Sequence, residues 1–232
     1  MAFKAFNWNV MRQLDLDMDE VHNAFHAALF VFGIQLLMIF FIGTIVFGDS
    51  FQITLPTSLA VMGARFVCTI LMHLQVEGDM RQGLRMMKYV TNHPHQFSNP
   101  FSAFFVALMQ STGGLLAEIA CITFLCSITS AIDVVIKFVA LASIAKVDDF
   151  YASALPADGN KIKKKTSPMV VRMHKRDIKA LEAKQGRFWA RLFPRAIYKA
   201  LRIFYASYLF YFMPYTSLFL PYLVAIAQLP DS

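Results

Sequence analysis

Charged side chains are scarce in this 232-residue chain: Asp, Glu, Lys and Arg together make up 16% of it, against about 25% in a soluble domain. Hydrophobic residues make up 57%. Too little polar side chain is present to clothe a water-facing surface, so a soluble globular domain is excluded and a single helical bundle in a bilayer is implied. The local signatures of common chemistries are missing as well. No Gly-rich phosphate loop, nucleophile elbow or zinc motif is found, and no polar stripe long enough to line a pore is legible. Only three cysteines occur, Cys68, Cys121 and Cys126, all inside apolar runs and without metal-ligand spacing, which marks them as reduced, buried small hydrophobes. The first 20 residues are not basic either. They carry Asp15, Asp17, Asp19 and Glu20 against Lys4 and Arg12, which fits neither a cleavable secretory signal nor an Arg-rich transit peptide; the first apolar run is expected to act as its own uncleaved signal.

What the chain does contain is long apolar runs. Residues 24 to 47 include no Asp, Glu, Lys or Arg, and 24 helical residues reach about 36 Å, enough to cross a hydrocarbon core of about 30 Å. A second run, Thr57 to Gln75, follows a short polar connection, with Pro56 suited to a first helical turn. Beyond it Met80, Leu84 and Met87 share one helical face and Arg81, Arg85 and Lys88 the adjacent one. That pattern fits a helix lying on the membrane surface or an amphipathic extension of the second span. Pro94 breaks the chain, and Asn99 with Pro100 forms an N-cap and first-turn pair. From Phe101 to Val147 the chain is again apolar, too long for one span. The run SITSA offers the turn, dividing it into a third span of about residues 100 to 126 and a fourth of about 130 to 147. Gly113 and Gly114 suit a close helix contact, and a break at Ser111 to Gly114 would instead make this segment re-entrant.

The composition changes after Asp148 and Asp149. Between Lys161 and Arg202 lie 14 of the 22 Lys and Arg residues, against only Asp177 and Glu182. Lys163, Lys164 and Lys165 open this stretch, followed by a helix with Val171, His174, Ile178, Leu181, Phe188 and Leu192 at helical spacing. Such a basic amphipathic segment is drawn to anionic lipid headgroups, each basic residue contributing about 1 kcal/mol; nucleic acid, the other partner of basic runs, is set aside because the stretch is tethered between spans. A last helix is expected from Pro194, with Arg195, Lys199 and Arg202 at headgroup level. It then enters an aromatic fifth span with Tyr205, Tyr208, Tyr211, Tyr215 and Tyr222, where Pro214 and Pro221 predict a kink or broken end.

The expected fold is therefore all-α: a polytopic transmembrane helical bundle of about five spans plus basic amphipathic surface helices. It divides into an acidic inside segment (1–23), a four-span bundle (24–147), a basic amphipathic inside segment (148–202) and the aromatic fifth span with the C-terminus (203–232). With the N-terminus inside and the C-terminus outside, every basic cluster falls on the inner side, and the loops 48 to 56 and 127 to 129 hold no Lys or Arg.

Four charges remain within apolar runs: Arg65, Glu118, Asp133 and Lys137. In this topology all four lie in the outer half of the membrane. Their charges cancel, which favours a clamp in which Arg65 neutralises Glu118 and the cluster ties spans two, three and four together; the competing reading is an ion or proton path. Paired imidazoles from His22, His26 and His73, with His93 and His95 close in sequence, would be the ligands of a haem or a transition metal. No companion motif supports that, and no cofactor is expected. The run from Asp15 to Glu20 mimics the start of a calcium loop, but Glu20 replaces its glycine and His26 its closing glutamate, leaving an acidic helix start.

The stretch from Ile132 to Leu155 resembles a segment of multi-pass membrane proteins of ciliates and other protists, through Asp133, Phe138, Ala140, Leu141, Asp148 and Asp149. The basic stretch running into the aromatic span, RAIYKALRIFYASYLFYF, is similar to the C-terminal part of the same group. The first of these stretches covers about a tenth of the chain, and the resemblance implies a multi-pass membrane protein, with no catalytic residues and no named substrate. Together these features point to a non-enzymatic membrane subunit with a structural role in a larger assembly. Its partners are anionic lipid and other membrane subunits, and the alternatives are an ion channel or transporter and a haem-binding electron-transfer subunit.

Overall fold

A computed structural model describes residues 6–7, 18–46, 52–146 and 188–228. The described chain is helical, apart from an isolated antiparallel bridge between Asn7 and Phe97. The helices are α1 (Met18–Val46), α2 (Leu59–Asn92), α3 (Pro100–Leu125), α4 (Ala131–Ala145), α5 (Phe188–Phe204), a single turn α6 (Phe210–Phe212) and α7 (Thr216–Ala227), with a 3-10 turn at Pro94–Gln96. Four segments are long and apolar enough to cross a membrane: Met18–Thr44, Leu59–Asn92, Pro100–Leu125 and Phe193–Ala227. The segment expected as a fourth of five spans forms α4, which has 15 residues and reaches about 22 Å, short of a hydrocarbon core of about 30 Å.

The helix ends follow from local chemistry. Asp19 and Glu20 occupy the first turn of α1, where carboxylates meet the positive end of the helix dipole. Ser58 caps α2, its Oγ accepting the Val61 N–H at 3.3 Å, so Pro56 lies outside the helix rather than in its first turn. Asn99 caps α3 by accepting the Ser102 N–H at 3.2 Å, and Pro100 occupies the first helical position, where a missing N–H costs nothing. Helix α3 runs unbroken through Ser111–Gly114 and ends where the SITSA turn begins. Helix α2 is continuous for 34 residues, so the segment with Arg81, Arg85 and Lys88 extends it instead of forming a separate surface helix. Met80, Leu84 and Met87 are buried while the three basic residues are exposed.

The C-terminal span is the irregular one. Pro194 lies inside α5 rather than at its start. A π-helical segment, Tyr205–Leu209, and a 3-10 turn, Met213–Tyr215, interrupt the run before α7. The disruption expected at Pro214 is therefore present, a proline having no N–H for the preceding turn. Pro221 sits within α7 and leaves the Ser217 carbonyl without its helical donor. That carbonyl receives the Cys126 thiol at 3.8 Å.

By contacts the chain divides into two compact units. One comprises residues 1–32, 81–111 and 148–204. There Phe6 packs edge-on against Phe25 with ring centroids 5.9 Å apart, and its carbonyl accepts the Ser98 N–H at 2.8 Å. The other comprises residues 33–80, 112–147 and 205–232. Its core includes Cys68, Met72 and Val76 of α2, Cys121, Ile122 and Leu125 of α3, Val134 and Leu141 of α4, and Leu209 and Met213 of the last span.

Helices α2 and α3 approach closely within each unit. A Cβ built on Gly83 would lie 2.9 Å from the Ala107 carbonyl oxygen and from Ser111 Cβ, and one on Gly114 would lie 2.8 Å from Val76 Cγ1. Missing side chains thus let backbones meet where lipid supplies no hydrophobic drive. Val76 can rotate away, whereas the Ala107 carbonyl belongs to a helix backbone. Gly83→Ala should therefore destabilise by about 1–3 kcal/mol and Gly114→Ala by less, which thermal unfolding of the two variants in mild detergent would measure.

Candidate functional site

Within the second unit, α2 carries a polar side chain at every fourth position: Arg65, Thr69, His73 and Glu77. A four-residue step advances about 400° around the helix, so these residues stay on one slowly turning stripe. The stripe spans thirteen residues, about 18 Å of helix axis. Arg65, Thr69 and His73 are buried, at 1%, 0% and 6% exposure. A polar stripe this long is not what the apolar composition of the run suggests; the residues are diluted by the leucines, valines and methionines between them.

Apart from Thr69, the polar groups on the inward side of α2 each end on a different part of the unit. Arg65 donates from Nη1 to the Thr54 carbonyl at 2.8 Å, and from Nη2 to Thr54 Oγ1 at 3.1 Å and to the Ile128 carbonyl at 2.9 Å, which also receives Nε–H at 3.3 Å. Its charge is thus taken up just beyond the C-terminal end of α3, where unpaired carbonyls concentrate negative potential. The Thr54 N–H reinforces this join by donating to the Cys126 carbonyl at 3.2 Å. Thr69 Oγ1 bonds back to the Arg65 carbonyl at 2.8 Å, the in-helix bond available to a hydroxyl in an apolar setting. His73 Nδ1 lies 2.8 Å from Glu118 Oε1 on α3. Gln75 Nε2 donates to the Ala142 carbonyl in the last turn of α4 at 2.9 Å. Tyr205 Oη donates to Glu77 Oε1 at 2.6 Å, tying in the last span.

This arrangement corrects the expected clamp. Arg65 and Glu118 are both buried, but they do not pair: the guanidinium goes to connection carbonyls and the carboxylate to His73. Asp133 and Lys137 are exposed and belong to no buried cluster. Lys137 Nζ instead sits 5.4 Å from the centroid of the Phe124 ring, a cation–π arrangement. A guanidinium near a helix end has more favourable partners than a distant carboxylate, because two carbonyls and a hydroxyl satisfy its planar donors without burying a second charge.

The histidines separate. His22 and His26 are exposed and stack edge-to-face with centroids 4.5 Å apart. His93 is buried beside Tyr89, centroids 5.0 Å apart, and His73 is engaged by Glu118. Among the described residues no three His, Cys, Asp or Glu side chains converge in a way that would hold a metal ion. The three cysteines are free and buried. Of the basic residues expected at lipid headgroups, Arg81, Arg85, Lys88, Lys199 and Arg202 are exposed and Arg195 is partly buried. Lys163, Lys164 and Lys165 lie outside the described residues.

The role of His73 as partner to Glu118 was missed because the two are 45 positions apart. The available signal was its fourfold spacing from Thr69 and Arg65 on the same helix. Among the described residues Glu118 Oε2, which is buried, has no hydrogen-bond partner, so the pair is incompletely satisfied. Compared with protein-family models, curated proteins and solved structures, the chain has no match.

Removing one member of a buried pair leaves the other uncompensated, at about 3–5 kcal/mol. His73→Leu and Glu118→Leu should each reduce thermal stability in detergent, with the double variant recovering much of the loss. Arg65→Leu combined with Glu118→Leu should instead give additive losses, since they serve different partners.

Proposed function

We propose that the chain is a non-enzymatic, multi-pass membrane subunit whose role is to hold position in a larger membrane assembly. The observation that carries this reading is the use of α2 as a hub, with Arg65, His73, Gln75 and Glu77 each bonded to a different element. Buried polarity spent on joining elements gives a rigid unit. Large apolar side chains of this unit are exposed, among them Leu37, Phe40 and Phe41 on α1 and Phe219 and Leu223 on α7, a surface suited to lipid and to other membrane subunits. Arg81, Arg85, Lys88, Lys199 and Arg202 would meet anionic headgroups.

The proposed topology keeps five spans, with the N-terminus inside and the C-terminus outside. The distribution of basic residues supports this, although α4 is short. If it did not cross, the 14 Lys and Arg residues between Lys161 and Arg202 would fall on the outer side, against the positive-inside rule. A cysteine placed at Lys164 should be labelled by an impermeant thiol reagent from the side opposite to one placed at Gln52; labelling from the same side overturns the topology.

The second reading, an ion or proton transporter, is favoured by the incompletely satisfied Glu118. Reconstitution of the purified chain into liposomes separates the two. The subunit reading expects no ion flux by the chain alone and a reproducible set of membrane proteins that copurify in mild detergent. Robust flux that Glu118→Gln abolishes would replace it with transport.

A further inference from the structure

Helix α2 and the last span meet at two places in the second unit: Tyr205 Oη donates to Glu77 Oε1 at 2.6 Å, and the rings of Phe66 and Tyr215 lie 5.5 Å apart. The two helices therefore run antiparallel there, and the chain leading away from the Glu77–Tyr205 join is basic on both. Arg81 and Arg85 follow Glu77 along α2, and Arg202 and Lys199 precede Tyr205 along α5. All four side chains are exposed, and all four belong to the first compact unit. Residues 81 to 92 and 188 to 204 hold no Asp or Glu, so neither stretch carries a carboxylate to neutralise them.

Helix length sets the depth independently. From Leu59 to Arg81 α2 rises about 33 Å, and from Tyr205 to Ala227 the last span rises about as much, against a hydrocarbon core of about 30 Å. Each helix thus reaches its exposed basic residues where lipid phosphates begin. On the membrane side of the join, exposed residues include Leu71 and Leu74 on α2 and Tyr208, Tyr211 and Phe212 on the last span, a bed for acyl chains.

We infer that Arg81, Arg85, Lys199 and Arg202 form one shared site for the phosphate of a single anionic phospholipid. The inference rests on the membrane-subunit reading and deepens it, replacing a general attraction to headgroups by a defined partner. The planar fork of arginine matches phosphate oxygens two at a time, and lysine adds a point charge. A zwitterionic headgroup brings its own cation to the same place and gains less from the cluster.

Native mass spectrometry of the full chain released from mild detergent, titrated with phosphatidylglycerol or with phosphatidylcholine, tests this. The expected result is one phosphatidylglycerol retained saturably, with phosphatidylcholine held about tenfold more weakly. Arg81→Gln with Arg85→Gln, and separately Lys199→Gln with Arg202→Gln, should each weaken that one adduct about thirtyfold, as the loss of two basic contacts implies. If either variant does not fold, the unaltered chain still decides, because raising the ionic strength should weaken the adduct severalfold. Equal retention of the two lipids, two adducts of which each variant loses one, or an adduct indifferent to salt overturns the shared site. So does the absence of any adduct, which would point to an acidic protein segment as the occupant. The copurifying proteins and the liposome flux test the subunit reading separately, so failure of the lipid site leaves that reading standing.

Discussion

Backbone carbonyls at helix ends have no helical donor, and in a bilayer no water replaces it. Much of the second unit is organised around that constraint. Arg65 and Thr54 satisfy the carbonyls of Cys126 and Ile128 beyond α3, and Gln75 satisfies Ala142 at the end of α4. Cys126 donates to the Ser217 carbonyl freed by Pro221. Each of these bonds places a donor from one element on an acceptor in another, so meeting the local requirement also fixes how the elements pack.

The same constraint explains why Arg65 tolerates complete burial. A guanidinium is more weakly hydrated than an ammonium and offers a planar fork of donors, and this one meets two carbonyls and a hydroxyl. The negative end of α3 supplies the compensating potential without a carboxylate. Glu118 lacks that completeness. Among the described residues it meets one imidazole at Oε1, and its Oε2 has no hydrogen-bond partner.

Glycine has a parallel part in the packing of α2 on α3. At Gly83 the opposing atom is the Ala107 carbonyl oxygen, and at Gly114 it is the side chain of Val76. Backbone thus meets backbone at Gly83 and side chain at Gly114, the close approach that small residues allow between apolar helices. The two sites differ in how easily the neighbour would yield to an added methyl group.

Runs of apolar residues, cap residues and prolines acted locally, and for that reason the helices were legible: the Asn99–Pro100 start of α3, its end near the SITSA turn and the disturbed path about Pro214 all depend on neighbours a few positions away. The burial of Arg65 and Glu118 was also legible, from charges set in apolar runs. Their partners were not. Thr54 is 11 positions from Arg65, Ile128 63, and Glu118 45 from His73, and sequence alone offered opposite charges as the natural match. Periodicity places a side chain on a face of its own helix; only the packing of helices decides what that face meets. Tertiary structure therefore decided that Arg65 reads the end of a helix, that His73 meets Glu118, and that Asp133 and Lys137 turn outward.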